Sequence, residues 1–446
     1  MSEAAVAPHR HKLSHLEVLS YGGGSVASSL SWNMVAGFLI VYYTDTILLP
    51  VAAVGTLVFL TRLIDALFDP VVGMLVDRTR SRWGKARPYL LFMPIPFAIL
   101  CVLTFAVPDG TTNEKLVYAY ITFGLLGLVY SLLYVPYGAL QPLLTSDRPQ
   151  LLTISSVRAM GTSVASIFVY ALVVPTIAFF GGGRDGYTWA AAVFALCTTA
   201  LYFVTFANCR ERTAGDAESD RSPFKKAFPR ALRNRVWVVA MLFEILIFIR
   251  LGIMTAAMAF YARIVLGSAA SISILLPTLS VGILLGGFIA APYLRRFGKR
   301  RGVSWFLLFT IFIFALVPVI GHTVLGFSLI LFFGAIGAGV QATMVFAMVS
   351  ESVEAQLRLF GFRDAGLLTS FAAFNSKVGF ALGSAGVAWA LALADYSPNL
   401  PAAAVAPTLI WIFCLSPIVL SLLQLVVIRY YPEDMAALAA DRAAAA

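Results

Sequence analysis

Three ionisable residues, Arg62, Asp65 and Asp69, stand in an otherwise apolar stretch from Val51 to Val76. Spacings of three and then four residues place them on one helical face, with the two carboxylates a single turn apart. Two carboxylates that close in a dry setting resist being ionised together unless a cation joins them. The expected ligand is a small cation, H⁺ or Na⁺. Pro70 has no N–H and leaves the carbonyl of Ala66 without its helical partner. A freed carbonyl oxygen beside two carboxylates suits a hard cation. Lys377, in the middle of another apolar stretch, supplies an ammonium that competes for the same acids when the ion leaves. The bland alternative is a static buried network of Arg62, Asp65, Asp69 and Lys377 that only locks helices together.

The elements that must position these charges follow from composition. Of 446 residues, 60% are hydrophobic and 12% charged, against roughly 45–50% and about 25% in soluble domains. Apolar spans run near Ser20–Tyr43, Val51–Val76, Tyr89–Val107, Val117–Leu140, Ile154–Phe180 and Trp189–Ala207. Six more follow near Val236–Leu266, Ile272–Leu294, Val303–Gly321, Leu325–Val349, Leu367–Leu393 and Thr408–Arg429. Continuous apolar runs of this length exclude the alternating pattern of a barrel and require helices, because lipid offers backbone groups no other partner. The expected fold is an all-α membrane protein of twelve transmembrane helices. A charge at mid-bilayer costs roughly 2.5–3.5 kcal/mol on insertion scales, so the four buried charges imply a role.

The net charge of +10 is explained by topology rather than by nucleic acid, since no basic solvated domain is available. Basic residues collect in the loops after the second, sixth and eighth spans, and the opposite loops nearly lack them, which puts both termini in the cytoplasm. Cys101, Cys197, Cys209 and Cys414 lie in or beside apolar stretches and give no disulfide framework. Met1–His15 is polar and lacks the apolar core of a signal peptide. Gly73, Arg82, Trp83, Gly84 and Lys85 align at one fixed offset with Gly287, Arg296, Phe297, Gly298 and Lys299, which implies two related halves. The expected organisation is a cytoplasmic segment 1–18, a six-helix bundle 19–209, a cytoplasmic connector 210–235, a second bundle 236–431 and a cytoplasmic tail 432–446.

Parallel halves around a midplane site resemble the major facilitator transporters. The loop residues Gly73, Asp77, Arg78, Arg82, Gly84 and Lys85 are similar to that superfamily's gate-loop pattern. They read either as a positive-inside anchor or as a charged latch at the cytoplasmic gate. The run from Arg62 to Pro70, the segment Tyr42-Tyr43-Thr44-Asp45 and the eleventh-span residues Asn375-Ser376-Lys377-Val378-Gly379 resemble the melibiose-permease branch, the glycoside-pentoside-hexuronide:cation symporters. By that resemblance Asp65 and Asp69 are the cation-site carboxylates, Lys377 is their partner, and Ser131 falls where a fourth-helix hydroxyl helps to hold the ion. Phe68 stands where melibiose permease has an Asn between the acids, which removes an oxygen ligand and favours H⁺ over Na⁺. Ser29 and Tyr134 stand where the α-galactoside carrier has acids, so melibiose itself is disfavoured.

Arg158 matches an Arg that faces sugar in the family; without those acids it would suit a uronide or sulfonated sugar, unless it merely snorkels to the nearby membrane surface. Trp32, Asn33, Tyr134, Tyr137 and Gln141 are expected along the cavity, with Arg250 on the substrate path or gate. Glu244 has no assigned role. The resemblance implies secondary active symport in the cell (inner) membrane by a monomer, with a sugar or glycoside as cargo and H⁺ or Na⁺ as coupling ion. No cofactor, bound structural metal or nucleic acid is expected. The alternatives are a carrier of lysolipid or amphipathic drug-like cargo and a transport-like sensor. An enzyme is not expected, because zinc-protease, nucleophilic-Ser and phosphate-loop motifs are all missing.

Overall fold

In a computed structural model, residues 13–145, 147–212, 224–361, 365–397 and 402–432 are described, and helices are their only extended regular structure. The N-terminal twelve residues, residues 213–223 of the connector and the tail from 433 onward lie outside the described residues. The first half comprises α1 (His15–Val41), α2 (Val51–Arg78), α3 (Arg87–Phe92), α4 (Pro94–Thr104), α5 (Thr112–Leu144), α6 (Arg148–Phe179) and α7 (Gly183–Asn208). A short α8 (Phe224–Arg233) leads into the second half: α9 (Arg235–Ile264), α10 (Ile272–Phe297), α11 (Lys299–Ala315), α12 (Val317–Ile320), α13 (Val324–Phe360), α14 (Ala365–Leu393) and α15 (Ala402–Ile428).

Among the described residues, eleven helices are long and apolar enough to cross a membrane. The expected third span is not one of them: it is broken at Met93 into α3 and α4. Pro94 and Pro96 bring no N–H, so the carbonyls of Leu90 and Phe92 lose their helical partners at the break. The described cysteines are all free. Capping is local and regular: Ser14 with Glu17 opens α1, and Thr111 with Glu114 opens α5, each as a capping box. Helix α13 runs well past the expected span, since Glu351, Glu354 and Arg358 continue it as a polar end, and Glu351 there pairs with Lys299. The aligned glycines of the two halves share a backbone need: Gly84 has φ +108° and Gly298 φ +79°, both in the left-handed region.

Close packing aims the charges. Helices α9 and α14 approach through Gly252 and Gly383, where an added Cβ would meet the carbonyls of Phe380 and Ile249. That contact fixes one face of α14 inside the second half and turns the face carrying Lys377 and Trp389 toward α2. The halves also touch through α6 with α10 and α1 with α9. At the end of the bundle near Tyr42 and Tyr43, one buried cluster includes residues of both halves, among them Phe105, Met258, Phe260 and Leu391. Toward the basic loops the second half has a cluster of its own, with Val236, Phe243, Met344 and Ile428.

Candidate functional site

Helices α2, α5 and α14 bring Asp65, Asp69, Ser131 and Lys377 together. Gly127, one turn before Ser131, faces Asp65 and leaves room for the carboxylate between α2 and α5. Ser131 Oγ lies 2.5 Å from Asp65 Oδ1 and 2.6 Å from Asp69 Oδ1. Lys377 Nζ lies 2.6 Å from Asp69 Oδ2 and 3.2 Å from Asp65 Oδ2, the latter in ion-pair reach but not aligned for a hydrogen bond. Asp65 is 1% exposed, while Asp69 and Lys377 keep 17% and 16% of their side chains accessible, so the site is closed on one side and open on the other. A hydroxyl has one hydrogen and can donate to only one carboxylate at a time. The second short contact is satisfied when a carboxyl carries a proton and donates to Ser131 Oγ.

Arg62 shares this helical face but makes no ion pair with either acid among the described residues. Its guanidinium carbon lies 3.7 Å above the Trp32 ring and 5.5 Å from that of Phe123, and its Nε is buried without a hydrogen-bond partner. Trp32 stacks in turn on Tyr130, with centroids 4.1 Å apart, and Tyr130 stacks on Tyr134 at 5.6 Å. Arg158 lies over Tyr134 and Tyr137 at 5.7 and 5.2 Å, and no described carboxylate pairs with it.

The other expected cargo residues are placed unevenly. Asn33 donates to Ser166 Oγ at 2.9 Å and so bridges α1 to α6, and Ser29 is buried. Tyr137 is fully buried, with its hydroxyl donating to the carbonyl of Tyr21, and Gln141 meets Ser155 and the Tyr21 hydroxyl. Arg250 is turned away from the first half. Its guanidinium donates to Gln341 Oε1 at 2.6 Å and is within bonding distance of Ser421 and Gln424, inside the second bundle. Glu244 does not pair with Arg250, as their spacing implies; Asn375 Nδ2 donates to it at 3.4 Å.

In the gate loop, Gly84 sits against the Glu211 carboxylate, which accepts from the backbone N–H groups of Lys85, Ala86 and Arg87 at 2.8, 2.8 and 3.1 Å. Arg82 lies 4.2 Å over the Trp83 ring, Arg78 is exposed, Gly73 meets nothing, and the Asp77 side chain lies outside the description. This loop is thus fastened to the start of the connector just after α7. Two groups were missed in the sequence: Glu211, and Asp45 with its partners Arg263 and Tyr396 at the opposite end of the bundle. Asp45 is presented by a π-helical turn, Tyr42–Thr46, whose first four residues carry the family resemblance.

Residues 20–434 match the family described as MFS/sugar transport protein, and the chain belongs to it. It is a multi-pass membrane transporter of the melibiose-permease-like branch and not an enzyme. It is 28% identical to the isoprimeverose transporter of Lactiplantibacillus pentosus, over 89% of this chain and 84% of the relative. With the glucuronide carrier protein homolog of Escherichia coli K12 it shares 31% identity, over 87% and 86% of the two chains. Its fold is similar to that of the nucleoside transporter NupG, with a TM-score of 0.66 at 16% identity, over 93% of this chain and 99% of that one.

Proposed function

We propose that the chain is a cation-coupled symporter of a sugar or glycoside working by alternating access, with H⁺ favoured over Na⁺ as the coupling ion. The observation that carries this reading is the Asp65–Ser131–Asp69 triplet bridged by Lys377, because it seats a proton between two acids and keeps a tethered ammonium ready to replace it. Phe68, between the two acids, brings no oxygen to the site, and Na⁺ wants several oxygen ligands where H⁺ needs one carboxylate. The broken pair α3–α4 completes a set of twelve spans, both termini are cytoplasmic, and the inner membrane is the setting. With the basic loops inside, the Asp45 end is the outer end, and the cross-half bonds there describe a carrier closed to the outside.

Arg158 supports an anionic cargo, since a cation that no described carboxylate pairs with is open to receive one, and the glucuronide carrier homolog fits this reading. The test is reconstitution in liposomes with a panel of neutral, uronic and sulfonated glycosides, with and without Na⁺ and a pH gradient. Proton-driven accumulation that Asp69→Asn abolishes, while counterflow exchange partly survives, is expected. Accumulation untouched by that substitution removes the coupling assignment.

A further inference from the structure

We infer that Trp32 is a positioning residue that links the ion site to the cargo side of the first half, and not a platform on which a sugar stacks. The inference rests on the symport reading above. Its starting point is that Trp32 has no open face. A guanidinium carbon at 3.7 Å and a parallel ring at 4.1 Å, inclined by only 6°, are too close to the indole to share one side of it. Arg62 therefore covers one face and Tyr130 the other.

Arg62 is the unusual member of this stack. It stands three residues before Asp65 on the same helical face, is only 6% exposed, and forms no ion pair among the described residues. Its charge is balanced through space by the acids and locally by the π faces of Trp32 and Phe123. A cation over the face of a desolvated indole is held by the ring quadrupole. Asp65 on α2 and Tyr130 on α5 act on the charge of Arg62, and Ser131 and Lys377 tie Asp65 to Asp69. When the acids take up an ion, they pull less on Arg62, and the guanidinium settles onto the indole.

Trp32 transmits that change in one direction only, because its second face rests on Tyr130. Tyr130 rests on Tyr134, and Arg158 lies over Tyr134. The stack thus runs from the ion site on α2, through α1, to Tyr134 and Arg158, which are the groups proposed to meet cargo. A contiguous stack is a route by position; energetic coupling is what the experiment must measure.

The full chain is labelled with 5-fluorotryptophan in nanodiscs, and the Trp32 signal is assigned by its loss in Trp32→Phe. Its ¹⁹F shift is followed between mildly acidic and mildly alkaline pH, with and without Na⁺, so the ion alone is the probe. The Trp32 signal is expected to move with the ion in the natural protein, and to stop moving in Asp69→Asn and in Arg62→Gln. As a second readout, Trp32→Leu is compared with Trp32→Phe in uptake and counterflow of methyl β-D-glucuronide. Loss of the ion's roughly tenfold enhancement in Trp32→Leu, with ion-free counterflow kept and Trp32→Phe partly rescued, supports the link. A Trp32 signal indifferent to the ion, in a protein whose uptake is ion-driven, overturns the link alone. Counterflow lost in proportion to uptake restores the platform and also overturns it. Uptake that no ion drives overturns the symport reading instead.

Discussion

Asp45, on a π-helical turn after α1, lies 2.6 Å from Arg263 near the end of α9, and the pair joins the two halves of the bundle. Tyr396 adds a hydroxyl that donates to Asp45 Oδ1 at 2.9 Å and also meets Arg263. The described non-glycine residues with positive φ, Leu48 at 64° and Asp395 at 52°, both flank this contact. Such conformations cost on the order of 1–3 kcal/mol and persist where the surroundings hold them. The buried carboxylate needs its partner, so Asp45→Asn or Arg263→Gln should shift the carrier toward opening at this end. A cysteine at Trp389, in a background without the four native cysteines, should then react several-fold faster with a membrane-impermeant maleimide, and the swap Asp45→Arg with Arg263→Asp should bring the rate back part-way. Unchanged reactivity in both single variants would mean that packing alone closes this end.

Lys377 bridges two acids that have few other charge partners. Removing it by Lys377→Met leaves them crowded and uncompensated, and breaking a buried pair from one side typically costs about 3–5 kcal/mol. A lower melting temperature in detergent is expected. The double variant with Asp69→Asn should recover most of the loss, because only one acid then remains. If the double variant is as unstable as the single one, Lys377 contributes packing rather than charge.

The acids were legible because their signal is local. A charge in an apolar run and a spacing of three or four need no tertiary knowledge, and the same holds for the spans themselves. The contact between Asp45 and Tyr396 crosses 351 residues, and nothing near Asp45 marks its partner. Trp32 was legible as an aromatic on the inner face of α1, but which groups cover its ring depends on how α1, α2 and α5 are rotated. Apolar length alone joined Tyr89–Val107 into one span; the signal that could have divided it is Pro94 and Pro96. The partners of Arg250 were hidden for a related reason: Gln341, Ser421 and Gln424 lie on helices whose relative rotation the sequence does not state.

Glu211 gives a prediction for the gate loop. One carboxylate accepts three backbone N–H groups at the start of α3, donors that a helix leaves unpaired. Glu211→Ala should destabilise the first half by about 1–3 kcal/mol and loosen the 82–87 turn. Limited proteolysis at Arg82 and Lys85 reads this directly. Glu211→Gln keeps an acceptor oxygen and should lie between the two. Cleavage at the natural rate in Glu211→Ala would show that the stack of Arg82 on Trp83 suffices to hold the loop.

Arg158 decides the class of cargo. Its guanidinium rests on the rings of Tyr134 and Tyr137 with no carboxylate paired to it among the described residues, so an incoming carboxylate or sulfonate would complete the pair. A charge-assisted bidentate contact is stronger than a neutral one by about twofold in energy, and Lys cannot reproduce its fork. Arg158→Ala should therefore weaken uptake of a uronide by at least about tenfold while a neutral glycoside loses only a few-fold, and Arg158→Lys should restore the uronide incompletely. The measurement is the ratio of kcat/KM for the two cargoes in proteoliposomes under one pH gradient. Equal losses for both would assign Arg158 to holding Tyr134 and Tyr137 in place, because a change of scaffold weakens every cargo alike.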